Sequence, residues 1–527
     1  MVLATFWLAS SLSGAIDPAK VVILVNEDDD ESIDLGYYYA LKREVPIENI
    51  IHLPLSAEES ISWDEYLETL HNPMMAWLIG AGWFEGFTSD RKDALGRNIA
   101  IVNDHKLEAL VICKGVPLKI DNDPSRLPPE DTYSESRKPF YSNRSSVDSE
   151  LAILPLPKAN IDAFFPNPLF RRTESRNLFD VDPLVVGRLD GPSYELARAL
   201  IDRALEAENE GIAGRAYVDI SGPHEMGDEW LEKLVTNMEK NGFDVETNRE
   251  GGRFNRVDRF DEPLLYFGWY SGGVDGPFSN YSFSFPPGAI ALHIHSFSSS
   301  TVRDSRKGWV APLIVRGVTG TFGNTSEPYL YFTHQPHLIM EGLYKGLSLG
   351  QAALYSHPGL SWVSAYFGDP LYQPPLELRV PSKNQYDVIR MAEIARGVGN
   401  ATAYKAVVSE HETSHHYATG LWLCEYFLEQ GDKETAYEHL ASSMRPSADV
   451  PTEWGVLVAM AEAFFKLDKD EEGIAILLDL LEHMKVSKDA QKQLLRRALE
   501  FASAFELTDQ QADWQSRLEA LNPPAKN

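Results

Sequence analysis

Through the first three quarters of the chain, short apolar runs alternate with stretches of helical spacing. In the last quarter only the helical spacing remains. "KVVILVN" is a β-branched apolar run, and "SIDLGYYYALKREV" after it carries apolar residues at helical intervals, so a strand and then a helix are predicted. "LEALVICKGVPLKI" repeats the strand signature. Such alternation predicts an α/β fold with a mainly parallel sheet wrapped by helices. Residues 121–146, polar and proline-rich, read as a long surface insertion in this first subdomain, residues 17–185.

A second α/β subdomain, residues 186–380, opens near "LVVGRLDGPSYELARALIDRALEAENEG". Here Asp190 or Ser193 can cap a helix whose apolar face carries positions 196, 200, 201 and 205. "GRAYVDI", "PLLYFGWY", "GAIALHIHSFS" and "VTGTFGN" follow as strands, enough for a second sheet. Residues 385–521 predict an all-α module. In it the Gly431-Asp432 turn followed by small Ala436 is echoed by Asp468 and Gly473, the two small residues standing 37 positions apart. Small residues at that spacing let paired helices approach closely, so a tetratricopeptide-like solenoid is expected, with a generic helical bundle as the other reading.

Charge narrows the partners. With 78 acidic against 48 basic side chains the formal charge is −30, which disfavours nucleic acid or an anionic membrane surface. Cys113 and Cys424 are the only cysteines, so neither a disulfide framework nor a thiolate metal site is expected; both read as buried and inert. The opening "MVLATFWLASSLSGAI", residues 1–16, pairs an apolar run with small residues as a truncated signal peptide would, though without a basic start. Secretion, or placement in the periplasm or cell envelope, is therefore expected. No later stretch has the ~20 apolar residues of an integral membrane span.

Candidate chemistry gathers at one strand end. His293 and His295 in "ALHIHSFSSST" share a strand face and can offer two imidazoles to a metal if Asp304 or Glu327 converges; equally, they are hydrogen-bonded histidines beside a cleft. The pair by itself assigns neither a metal nor a cofactor. Ser296 and Ser298 lie where open α/β sheets bind ligands and are candidate nucleophiles, but no G-x-S-x-G elbow surrounds them and such clusters also cap turns. Asp148, Glu150, Asp190 and Asp369 can serve acid-base chemistry, and the aspartates before glycine or proline equally serve turns.

Taken in order, "SVDSELAIL", "VVGRLDGPSYELARALIDRALEAE", "LLYFGWYSGG", "AIALHIHSFSSST", "APLIVRGVTGTFGNTSEPYL", "GLSLGQAAL" and "YFGDPLYQP" resemble an uncharacterised family of exported bacterial proteins associated with the exosortase sorting system. That resemblance covers roughly residues 20 to 378. More distantly, the order resembles gingipain-type cysteine peptidases of the caspase-haemoglobinase fold. Asp148, the Gly187-Arg188-Leu189 turn, Glu206 and Glu208, Gly268, and Gly368-Asp369-Pro370 match that pattern. The chemistry departs from it. Where the resemblance implies Gly-His-Gly, the chain has Gly268-Trp269-Tyr270, and an indole has no lone pair to take a proton. Where it implies the nucleophilic cysteine stand His295, Ser296, Phe297 and Ser298. The resemblance thus implies a caspase-like domain without thiol proteolysis, with Asp148, Gly268, Trp269, Tyr270, Asp304, Glu327 and Asp369 around the cleft. The function expected is binding of a protein or peptide partner in cell-surface sorting. A hydrolase using Ser296 or Ser298, with a histidine or a bound metal, is the rival.

Overall fold

The computed structural model describes residues 14–93, 96–135, 137–156, 163–173, 181–250, 253–280, 282–377, 384–484 and 487–522. Of the expected leader, residues 1–13 lie outside these. Ten strands define the core: β1 (Val21–Asn26), β2 (Ile50–Leu53), β3 (Ala109–Cys113), β4 (Val185–Leu189), β5 (Arg215–Asp219), β6 (Val245–Asn248), β7 (Pro263–Gly268), β8 (Ile290–His293), β9 (Gly320–Asn324) and β10 (Ser364–Gly368). They form one sheet in the order β6-β5-β7-β8-β9-β10-β4-β3-β1-β2. The strands expected to make a second sheet therefore extend the first. The reason is long-range: β10 returns from late in the chain and lies between β9 and β4.

Covered on both faces, β1 is buried at every position, which is why it reads as an unbroken apolar run. It pairs in parallel with β2 and β3, Ile23 opposite Ile50 and Val111. On the far side β7 and β8 pair in parallel with Gly268 opposite His293. β10 runs antiparallel to β9, Gly320 facing Gly368, and meets β4 where Phe367 stands beside Arg188.

The loops leaving β3 and β8 meet at one edge of the sheet. There Lys119 Nζ donates to the Ser300 carbonyl at 2.6 Å, and Glu59 accepts from the Val302 amide at 2.8 Å and from the Thr301 hydroxyl. β10 ends in Gly368-Asp369-Pro370 against helix α1 (Asp30–Arg43). Asp369 is wholly buried; it accepts from the Tyr39 hydroxyl at 2.7 Å and the Leu371 amide at 2.9 Å, and pairs with Arg43. Arg43 also grips Glu208, in the last turn of helix α3 (Tyr194–Glu210). A methyl group on Gly187 would stand 2.6 Å from Pro370, so β4 needs glycine to let this turn close in.

Helix α2 (Val147–Ala152) follows the polar insertion, and Ser193 Oγ accepts from the Leu196 amide to cap α3. Helix α4 (Glu225–Lys240) crosses toward the edge strand, and the short helix α5 (Val310–Val315) covers β9. One feature not expected from the sequence is the antiparallel ribbon Phe84–Lys92 with Asn98–His105, whose Phe87 and Ile101 face solvent.

The last quarter is helical, as its spacing predicts: α6 (Gln385–Gly397), α7 (Tyr404–Ser414), α8 (Tyr417–Glu429), α9 (Lys433–Ser442), α10 (Trp454–Lys466), α11 (Asp470–His483), α12 (Lys488–Ala504) and α13 (Thr508–Leu521). They pack as consecutive hairpins. Gly431, Asp468 and Glu506 take positive φ (77°, 59° and 57°) at the α8–α9, α10–α11 and α12–α13 turns. The loop from β6 to β7 docks against these helices. Val257 is buried in their core, Arg497 pairs with Asp258 at 2.8 Å, and the Tyr386 hydroxyl donates to Asp261 at 2.7 Å. Among the described residues no helix is long and apolar enough to cross a membrane.

Removing one partner of a buried ion pair strands the other charge. Asp369→Ala is expected to lower the unfolding free energy by about 3–5 kcal/mol, read by urea denaturation, whereas Glu135→Ala at an exposed pair should change it by less than about 1 kcal/mol.

Candidate functional site

Trp269 follows β7 and turns inward. Its indole is 1% exposed, and Nε1 donates to Asp228 Oδ1 at 2.8 Å. Two glycines make room for it: a methyl group at Gly222 would lie 2.0 Å from the ring, and one at Gly227 2.2 Å. Asp228 Oδ1 also accepts the amides of Ser221 and Gly222, so one carboxylate fixes both the indole and the β5–α4 loop. The indole is a packed plug with its single polar atom satisfied.

Beneath it runs a buried polar chain. The Tyr266 hydroxyl lies 3.0 Å from Asp219 Oδ2 and 2.8 Å from His293 Nδ1. Asp219 Oδ1 accepts from the Phe254 amide at 2.9 Å and Asn248 Nδ2 at 3.1 Å. Gly268, beside both, has no room for a side chain, since a methyl group would approach Asp219 and the Tyr266 hydroxyl to 2.8 Å. His293 stacks on Trp309 with ring centres 3.7 Å apart, and Trp309 Nε1 donates to the Ser271 carbonyl at 2.7 Å.

Burial sets the charge states. Desolvation pushes the Asp219 carboxyl up to about 6, lowers the His293 imidazole well below its ordinary value and raises the Tyr266 phenol. When Asp219 is ionised the phenol donates its hydrogen bond to the carboxylate and keeps its proton. His293 Nδ1–H then donates to the phenol oxygen, and Nε2 carries a lone pair. Among the described residues His293 Nε2 is buried without a hydrogen-bond partner.

His295 does not join this chain. Its ring sits on Tyr270, centres 4.4 Å apart, and its Nδ1 faces the Ser296 carbonyl at 2.5 Å. Tyr270 (47% exposed) and His295 make a small stacked aromatic platform on the surface, and Phe297, two residues on, is exposed as well (49%). Ser298 is buried; its Oγ accepts from the Asn324 amide at 3.0 Å, and its carbonyl accepts the amides of Trp309 and Val310. Ser296 is part-buried. No serine hydroxyl makes a hydrogen bond to either imidazole among the described residues, so the arrangement holds no Ser-His pair.

The carboxylates expected around the cleft fall apart. Asp148 is spent on Arg188, whose guanidinium also binds Asp190 and the carbonyls of Val116 and Pro117, all buried. Asp369 lies at the α1–α3 knot. Asp304 caps its own turn by accepting the Arg306 amide, and Glu327 accepts the Tyr329 amide on the surface. Neither converges with the histidines, and no group of three or more candidate ligands able to hold a metal occurs among the described residues. Both cysteines are buried, their thiols pushed up by desolvation.

Sequence reasoning singled out Trp269, Tyr270 and His295, and missed Asp219, Tyr266, Trp309 and Asp228. Asp219 carried the one available signal, an acidic residue ending the apolar strand "GRAYVDI".

No protein-family model and no curated protein matches the chain. A solved structure described as "Structure of Protease" is similar at a TM-score of 0.37 and 8% identity, covering 70% of this chain and 80% of that one. What the strands and helices themselves define is an α/β protein with a large, mostly parallel sheet and a C-terminal helical region.

Because the folded state keeps a proton on Asp219 up to about pH 6, while an unfolded aspartate loses it near 3.8, this residue's contribution to stability is full below pH 4 and is lost as the pH rises through 6. The unfolding free energy is expected to fall between pH 4 and pH 7 by more in the native protein than in Asp219→Asn, the excess being up to about 3 kcal/mol, read by urea denaturation at the two pH values.

Proposed function

We propose that the chain is an exported, envelope-facing protein built on a gingipain-like, caspase-type α/β domain with a tetratricopeptide-like helical module. In this reading it binds a protein or peptide partner in cell-surface sorting and does not cleave it. One observation carries it: the position that holds the general base in gingipain-type peptidases is filled here by the buried Trp269 indole, packed between Gly222 and Gly227 and tied to Asp228. Such a group cannot shuttle a proton. Beside it the open surface offers Tyr270, His295 and Phe297, and aromatic side chains give large contact area at low entropy cost. The consecutive helical hairpins suit a scaffold for binding. The suspected leader at residues 1–16 supports export.

The rival hydrolase draws on the same serines and histidines, but Ser298 Oγ already accepts the Asn324 amide and His293 Nδ1 is taken by Tyr266.

Purified protein is expected to resist labelling by a fluorophosphonate and to leave casein and mixed peptide substrates intact. Labelling that disappears in Ser296→Ala or Ser298→Ala would replace this reading with a serine hydrolase. A Tyr270→Ala/Phe297→Ala variant is expected to melt within about 2 °C of the native protein while losing its captured partner from an envelope extract.

A further inference from the structure

β6 ends the sheet. Its neighbour β5 takes the backbone of alternate residues: the Ala216 amide donates to Asp244 O at 3.0 Å and the Ile220 amide to Asn248 O at 2.8 Å. In a parallel ladder the intervening residues, Val245 and Thr247, then turn their N–H and C=O groups outward. An edge of this kind is a template for another strand unless something covers it.

The helical module faces this edge without closing on it. Between them lies a cavity of about 440 Å3, within the usual size of ligand sites. Its wall on the helical side mixes apolar side chains, Trp422 from α8, Val458 from α10 and Phe501 from α12, with charged ones. Six carboxylates and four cations line it, and the cations are committed: Lys466 to Glu462 at 2.9 Å and Arg497 to Asp258 at 2.8 Å, with Arg249 and Arg259 likewise paired. Glu425, projecting from α8 into the space, has neither a hydrogen bond nor an ion pair among the described residues. Desolvation, ahead of the nearby Asp244 carboxylate, holds its carboxyl above the ordinary value.

We propose that this cleft binds an extended basic peptide, which adds as a strand to the free edge of β6 at Val245 and Thr247 and places a lysine or arginine side chain against Glu425. The site is separate from the aromatic platform and stands whether or not that platform binds a partner. Strand addition supplies backbone affinity without sequence preference, and the excess of carboxylates selects the cation.

The test uses the full chain and a fluorescein-labelled hexapeptide of alternating valine and lysine, with alternating valine and glutamate as control. The lysine peptide is expected to bind and the glutamate peptide to fail. Glu425→Gln is expected to weaken binding by roughly tenfold. Thr247→Pro, which removes an outward N–H at an edge where proline is tolerated, is expected to abolish it with the melting temperature unchanged. Hydrogen exchange at the Val245 and Thr247 amides is expected to slow in the complex. Unchanged affinity in both variants, or unprotected amides at saturating peptide, overturns the proposal. Tyr270→Ala/Phe297→Ala is expected to leave this binding untouched, so failure at the platform and failure at the edge read out separately.

Discussion

One strand holds the molecule together. Among the described residues, Ser364–Gly368 is the only connection in the sheet between the five strands ending at β9 and the four beginning at β4, and a buried aspartate fastens its end. Gly187 has to be glycine for the turn to seat, Tyr39 and Arg43 have to reach from α1, and Glu208 from α3 holds the second face of the arginine. These residues are hundreds of positions apart in places, and each is buried or nearly so. A closed ion-pair network of this sort is costly to break and fixes one arrangement of the elements around it.

Much of the sheet was legible in the sequence because its strands are covered on both faces. Val21–Asn26 and Ala109–Cys113 are buried throughout, and such runs announce themselves without any period. Helix α3 was legible for the converse reason: its buried Leu200 and Ile201 recur on one face, and Ser193 caps it. That the strands form one sheet was not legible. The joining depends on Gly368 meeting Gly320 and Phe367 meeting Arg188, contacts that no local pattern encodes. The ribbon at Phe84–His105 escaped for a different reason: its exposed positions mix Phe87 and Ile101 with Glu85 and Asp104, so apolar and polar residues do not sort onto opposite faces.

At the site, sequence identified residue types and strand ends but not partners. Histidine at 293 and serine at 298 look like a reacting pair when separated by five positions on paper; in the fold the backbone turns between them, and each is satisfied elsewhere, by Tyr266 and by Asn324. Asp369 and Asp148, which match the peptidase-like order of segments, are structural counter-ions for Arg43 and Arg188. A carboxylate in a tight turn and one in a proton relay share the same letter. Only the neighbouring guanidinium distinguishes them.

The seating of Trp269 carries a consequence for how this chain can change. Its indole occupies space that exists because positions 222 and 227 lack side chains, and its one polar atom is matched to Asp228. Installing an imidazole at 269 by a single substitution would open a void over two glycines and leave that carboxylate without the indole proton. Each intermediate on a stepwise route to a proton-transferring residue therefore begins with a loss of packing. The plug is held in place by the fit of its neighbours, whereas the fold itself places no such packing demand on the exposed Tyr270 and Phe297 in front of it.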